Sequence, residues 1–341
     1  MAKRQITIPI FLPHSGCPHR CAFCNQLQSS GACEVLSERE ICTKIENHLR
    51  MRPSTVVHTE IAFFGGNFTG LSEGEQRRLL SLAKSYKEQG QVQAIRLSTR
   101  PDYISREGLD VLRQGGVDTV EIGVQSFNDQ ILEAAHRGHT SADVIKAVAL
   151  LRDFGMQFIL QLMAGLPHST MQDEISSAEK AASLNPAGVR IFPTVILEHT
   201  ELARFFTEGT YAPLSLEEAV ERCSLMAEIF IKQDIPVIRM GLNPLNPVEE
   251  EKIIAGPYHT SFGFLVNARI KRNLLEKSLE NFYRSHPGCS HLIINLPSER
   301  QEEFIGHKRE NIAYLKERFE GIELSFITGK SRELRIASAI T

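Results

Sequence analysis

Seven short apolar segments recur along the chain, at residues 6–12, 59–64, 94–98, 119–125, 157–163, 189–195 and 236–240. Between them apolar residues return at helical spacing, as in Leu79, Leu82 and Tyr86, in Val144, Val148 and Leu151, and in Ala219, Cys223, Met226 and Phe230. Strands alternating with helices need crossover connections, so the chain is predicted to build a parallel sheet covered by helices, the α/β class. Spacing alone suits both an incomplete barrel and an open doubly wound sheet. The positions of the unusual residues separate the two. Cys17, Cys21 and Cys24 follow the first segment, Gly65-Gly66-Asn67 the second and Thr99-Arg100-Pro101-Asp102 the third. Gln125-Ser126 ends the fourth, and Gly165-Leu166-Pro167 follows the fifth. In a barrel all these points meet on the rim at the strand C-termini, where such folds build their sites. A partial, TIM-like (β/α)6 barrel is expected.

A turn-rich run, Gly241-Leu242-Asn243-Pro244-Leu245-Asn246-Pro247, closes this unit. It divides the chain into a core over 1–245 and a small C-terminal α/β domain over 246–341. The latter reads as helix over 262–282, strand over 292–296, helix over 302–319, and strands over 324–327 and 334–336. A length of 341 residues is ample for two packed units. A formal net charge of -3 gives no global attraction to polyanions, so a nucleic-acid partner would need a local basic patch. The start of the chain has no apolar leader with a small-residue cleavage site, and no stretch reaches the roughly 20 apolar residues of a membrane-spanning helix. A cytoplasmic location without membrane contact is expected. In that reducing compartment, seven cysteines at uneven spacing read as metal or redox chemistry rather than a disulfide framework.

Cys17-Pro18-His19-Arg20-Cys21-Ala22-Phe23-Cys24 crowds three thiols into one loop after a strand. A 4Fe-4S cluster held by protein alone takes four thiolates, so a set of three leaves one iron with an exchangeable position. Catalytic metal sites keep such positions open. The alternative is a zinc site with His14 or His19 as fourth ligand, although zinc sites usually show two ligand pairs divided by a longer loop. Cys33, Cys42, Cys223 and Cys289 read as small buried hydrophobes.

The triplet, with Phe23 before its third cysteine, resembles the motif of the radical S-adenosylmethionine (SAM) superfamily. That resemblance implies a 4Fe-4S cluster on Cys17, Cys21 and Cys24, with SAM on the open iron. It also implies an electron donor of flavodoxin or ferredoxin type and reductive cleavage of SAM to methionine and a 5'-deoxyadenosyl radical. Gly65, Gly66 and Asn67 match the segment that holds the SAM amino group, with Asn67 where Glu or Thr is common. Gln125 and Arg137 match SAM contacts in oxygen-independent coproporphyrinogen oxidase and in the catalytic subunit of Elongator. Gln161 stands where the former carries an Asp on the SAM ribose, and residues 191–195 match the wall of the adenine pocket. Arg100 is a candidate contact to SAM or substrate; a structural turn beside Pro101 is its alternative.

The runs Ser98-Thr99-Arg100-Pro101-Asp102 and His136-Arg137-Gly138-His139-Thr140 make the resemblance strongest to the radical SAM domain of the Elongator subunit. A tRNA base is the substrate this implies. Residues 246–341 are too short for that subunit's acetyltransferase domain, so its reaction is not implied. The competing readings are a small-molecule substrate for the same radical chemistry and a zinc-binding, non-enzymatic RNA-associated protein. Lys271, Arg272, Lys308 and Arg309 are read as solvated helix-face charges, and no aromatic-rich basic stripe is present.

Overall fold

The computed structural model describes residues 4–12, 15–18, 20–25, 37–242, 250–328 and 333–338. His14, His19, Cys33 and most of the turn-rich run after Gly241 lie outside the described residues.

Strands β1 (Arg4–Leu12), β2 (Val56–Gly65), β3 (Ala94–Thr99), β4 (Thr119–Gln125), β5 (Gln157–Ala164) and β6 (Gly188–Pro193) come first. They are followed by β7 (Ile196–Leu197), β8 (Val237–Met240), β9 (Ile253–Ala255), β10 (His291–Leu296), β11 (Glu323–Thr328) and β12 (Arg335–Ser338). The main sheet has seven strands in the order β1-β2-β3-β4-β5-β6-β8. Every neighbouring pair in it is parallel. β1 and β8 are its two edges, so the curled sheet is a partial barrel, as the rim argument requires.

Successive side chains on a strand point to opposite faces, and each face here has its own chemistry. Ile8 and Ile10 of β1, Ile61 and Phe63 of β2, Ile95 and Leu97 of β3, and Val120 and Ile122 of β4 are buried in the core formed with the covering helices. The alternate residues Pro9, Phe11, Phe64, Ser98, Glu121, Gly123, Gln161 and Arg190 line a cavity on the inner face. Barrel interiors are ordinarily filled by branched apolar side chains. Polar and small residues in that phase leave a chamber instead.

The helices start where the sequence supplies caps. Ser37, Thr140, Thr170 and Ser215 each close a capping box with an acidic residue three positions on. These stops set the length of the preceding loops, which form the rim.

The C-terminal unit is a three-stranded sheet in the order β11-β10-β12. β10 and β11 run parallel, and β12 is antiparallel to β10. The single helix expected over 302–319 is instead two, Gln301–Ile305 and Glu310–Arg318. Gly306 at φ +79° ends the first, and the left-handed backbone of Lys308 and Arg309 turns the chain before the second. The helix Phe262–Ser285 belongs to both cores: Phe262 and Val266 pack with the barrel, Leu275 and Leu279 with the small sheet. Buried Arg269 fastens its first half by ion pairs to Glu217 and Glu221 of the helix Leu216–Ile231. The antiparallel pair β7–β9 was not anticipated; it follows the end of β6. Among the described residues no helix is long and apolar enough to cross a membrane.

Candidate active site

The cysteine loop after β1 is fastened to three other segments. From the β2 end, Gly66 N–H donates to Leu12 O at 2.9 Å and Asn67 N–H to Ser15 O at 2.7 Å. Ala22 N–H donates to Ala135 O at 3.0 Å, while Leu202 N–H donates to Ala22 O at 2.7 Å. Asn25 Nδ2 donates to Glu198 O at 2.9 Å. These bonds hold the thiols in fixed relation to one another.

Two glycines allow that close approach. A Cβ on Gly66 would lie 2.0 Å from Ser15 O, and one on Gly16, at φ +71°, would lie 2.2 Å from Asn67 O. Gly66→Ala is expected to destabilise the protein by about 1–3 kcal/mol through overpacking and to lower cluster loading. Thermal unfolding together with iron analysis checks both.

Phe23, Gly65, Gly66, Arg100, Gln125, Arg137 and Gln161 line one cavity of about 340 Å³ together with Cys17, Cys21 and Cys24. That volume lies within the usual range of ligand pockets. Asn67 is the exception. It is fully buried, and its side-chain carbonyl accepts from Thr99 Oγ1 at 2.6 Å and Arg100 N at 3.1 Å while Nδ2 donates to Gly16 O at 2.9 Å. The carbonyl that the sequence offered to a ligand is thus committed inside the wall, joining the cysteine loop to the end of β3.

Arg137 is buried, with Nη1 donating to Cys21 Sγ at 3.0 Å and Nη2 to Gly123 O at 2.6 Å. Its Nε is buried without a partner among the described residues. Arg100 makes a two-pronged pair with Asp102, Nε to Oδ1 at 3.0 Å and Nη2 to Oδ2 at 3.0 Å. Nη2 also reaches Arg137 O at 2.5 Å. The turn at Pro101 is therefore structural, and Arg100 still faces the cavity. Gln125, held at φ +69° where β4 bulges, accepts from Gln161 Nε2 at 3.2 Å. The two amides form a polar pair on the wall.

The thiols suit an iron-sulfur cluster. Burial and then the neighbouring Cys21 push the Cys17 thiol up, while Arg100 and Arg137 pull it down. The Arg137 guanidinium donates to Cys21 Sγ, a bond that a sulfur bound to iron can also accept. Among the described residues no three His, Cys, Asp or Glu side chains gather around a single ion. Thiols along one cavity wall match ligands to separate irons. The fourth zinc ligand considered from the sequence, His14 or His19, lies outside the described residues.

The sequence reading missed a charged ladder on the inner face. Glu60 Oε1 accepts from Thr7 Oγ1 and from Arg96 Nη2, both at 2.6 Å. Arg96 Nη1 lies 3.5 Å from Glu121 Oε2, and Arg190 Nη1 lies 2.6 Å from Glu121 Oε1. Glu121 is 2% exposed. Arg190 is flanked by Phe64 and Phe192, with ring centroids 5.4 and 5.0 Å from its guanidinium carbon. The signal was present: a charged residue in the inward phase of an apolar strand, as in Thr119-Val120-Glu121-Ile122 and Gly188-Val189-Arg190-Ile191.

His139 is held neutral. Its Nε2 lies 3.2 Å from Val124 O, so that nitrogen carries the proton. Burial first, then Arg137 and Arg100, lower its value from 6.5 to about 3. The unfolded chain takes this proton near pH 6.5 and the folded one only near 3, so acid removes stability across that window and none is lost above it. His139→Gln should flatten the acid limb of thermal midpoint against pH.

Residues 11–181 match the model of the Radical SAM superfamily, which is half of the chain. The chain belongs to the radical SAM superfamily. Residues 186–272 match the Radical_SAM C-terminal domain. It is 35% identical over 154 residues to the tRNA uridine(34) acetyltransferase of Methanocaldococcus jannaschii, covering 42% of this chain and 28% of that protein. It is 28% identical over 218 residues to Elongator complex protein 3 of Schizosaccharomyces pombe, covering 55% of this chain and 40% of that one. These alignments span well under two thirds of either relative. The fold is similar to that of the archaeal Methanocaldococcus infernus Elp3, with a TM-score of 0.64 at 23% identity over 81% of this chain and 64% of that one. A 4Fe-4S cluster and SAM are the cofactors that go with this superfamily.

Proposed function

We propose that this radical SAM enzyme modifies a base of tRNA. The similarity over 154 residues to a tRNA uridine(34) acetyltransferase carries the substrate class.

Cys17, Cys21 and Cys24 would hold the cluster, and Arg137 orients the Cys21 sulfur through its hydrogen bond. When bound, the cluster supplies one electron to SAM, whose cleavage yields the radical that takes a hydrogen atom from substrate. Gly65 and Gly66 admit SAM against the backbone at the end of β2. The Gln125–Gln161 amide pair offers donors and acceptors to the nucleoside hydroxyls. Phe23 and Phe192 line the chamber from one apolar cluster, which keeps water from the reacting centre. Asn67 acts behind the wall by holding the loop in register. Arg100 bounds the chamber, and its charge is balanced by Asp102.

A flavodoxin or ferredoxin type donor in the cytoplasm completes the reading. The division near residue 245 is proposed on the same footing, with 1–245 as the SAM core and 246–341 as an accessory unit joined to it through the helix Phe262–Ser285.

Mass spectrometry of tRNA nucleosides from cells with and without the protein tests the substrate. A nucleoside that disappears on deletion supports tRNA, and an unchanged profile moves the substrate to a small molecule. Arg137→Ala is expected to weaken SAM binding about 10- to 100-fold while most of the iron is retained. Equilibrium dialysis with SAM and iron analysis on one preparation check this, and equal loss of both would make Arg137 purely structural.

A further inference from the structure

The inner face of the sheet carries one cation more than its carboxylates match. Glu60 serves Arg96, and Glu121 lies between Arg96 and Arg190. Arg239 on β8 stands beside Arg190 in the β6–β8 register, and residues paired in this way face the same side of a sheet. It is half-buried, and its guanidinium donates to two backbone carbonyls: Nε to Gly241 O at 3.1 Å and Nη2 to Leu242 O at 2.9 Å. No carboxylate pairs with it among the described residues. Burial and then the charge of Arg190 hold Arg239 below the usual arginine value, so two like charges meet where water screens them poorly. Leu242 and Arg190 both line the cavity that the cysteines reach.

We infer that Arg190 and Arg239 form a subsite for an oxyanion, a phosphate or carboxylate carried by the substrate, at the β6–β8 side of the cavity. Planar guanidinium groups present parallel donors that match such groups. Both are set in place before any ligand arrives, Arg190 by Glu121 and its flanking rings, Arg239 by the two carbonyls. Little side-chain freedom remains to be lost on binding. An anion between them replaces repulsion with two charge-assisted contacts. The inference rests on the reading that this cavity is the substrate chamber of the SAM site.

Calorimetric titration of the cluster-loaded protein with inorganic phosphate, acetate and uridine 5'-monophosphate tests it at low ionic strength. Saturable binding of at least one ion is expected, weakened about tenfold or more in Arg239→Met. Arg239→Gln, which keeps a donor for the carbonyls, should show the same loss if the methionine variant folds poorly. Arg113→Met, on the exposed face of the helix Arg106–Gln114, should bind like the parent. Tighter binding of the nucleotide than of acetate assigns the subsite to a phosphate ester, and the reverse order assigns it to a carboxylate. Absence of saturable binding by the parent protein, or parental affinity in both Arg239 variants, overturns the inference. The titration needs no turnover, so failure of the same preparation to cleave SAM would count against the proposed activity and not against the subsite.

Discussion

Alanine at any one of Cys17, Cys21 or Cys24 is expected to reduce 5'-deoxyadenosine formation to the level of a protein-free reaction, with iron and sulfide falling well below about four per chain. The expectation follows from ligand number. Three thiolates already leave one iron open, and removing another leaves two irons without a protein ligand. The loss should be uniform across the triplet, because the loop carrying it is fastened at Ala22, Asn25 and Ser15 and no other cysteine among the described residues lines the cavity. Cys223 provides the contrast: it is wholly buried in the barrel core. Cys223→Ala should keep its iron and its cleavage activity, at a modest cost in stability. Reconstitution under anaerobic conditions, iron analysis and chromatography of the nucleoside product check the series.

Glu121→Ala is expected to destabilise the cluster-free protein by about 3–5 kcal/mol, the cost of leaving buried cations without their partner. Glu121 lies between Arg96 and Arg190, whose side chains are 8% and 14% exposed, and its loss leaves Arg190 beside Arg239 without a carboxylate partner. Breaking the Arg106–Asp153 pair, exposed at 62% and 57%, should cost about 0–1 kcal/mol. Urea unfolding of Glu121→Ala and Asp153→Ala compares the two directly. Similar small shifts in both would mean that water enters the inner face and screens the ladder.

Much of the barrel was legible because apolar alternation names the strands and their order follows from crossover connections. The cysteine loop was legible because its three thiols lie close together in sequence. Contacts between distant segments were not. Nothing near Asn67 announces that Thr99 and Gly16 will claim its side chain, since those partners meet it only once β1, β2 and β3 are side by side. The β7–β9 pair is two and three residues long, too short for a period to register. The helix expected over 302–319 was read through Gly306 because Phe304, Ile312 and Leu315 continue to alternate with charged residues across the break. Glu121 and Arg190 each carry a local signal, a charge in the inward phase of an apolar strand, but their pairing joins residues 69 positions apart and leaves no mark in the sequence.

We propose that three protein thiolates hold a cluster whose remaining iron takes SAM. Electron paramagnetic resonance of the anaerobically reconstituted, reduced protein, recorded before and after addition of SAM, tests it most directly. A reduced 4Fe-4S signal that SAM perturbs is expected. A signal indifferent to SAM, or stoichiometric zinc in place of iron, would contradict it.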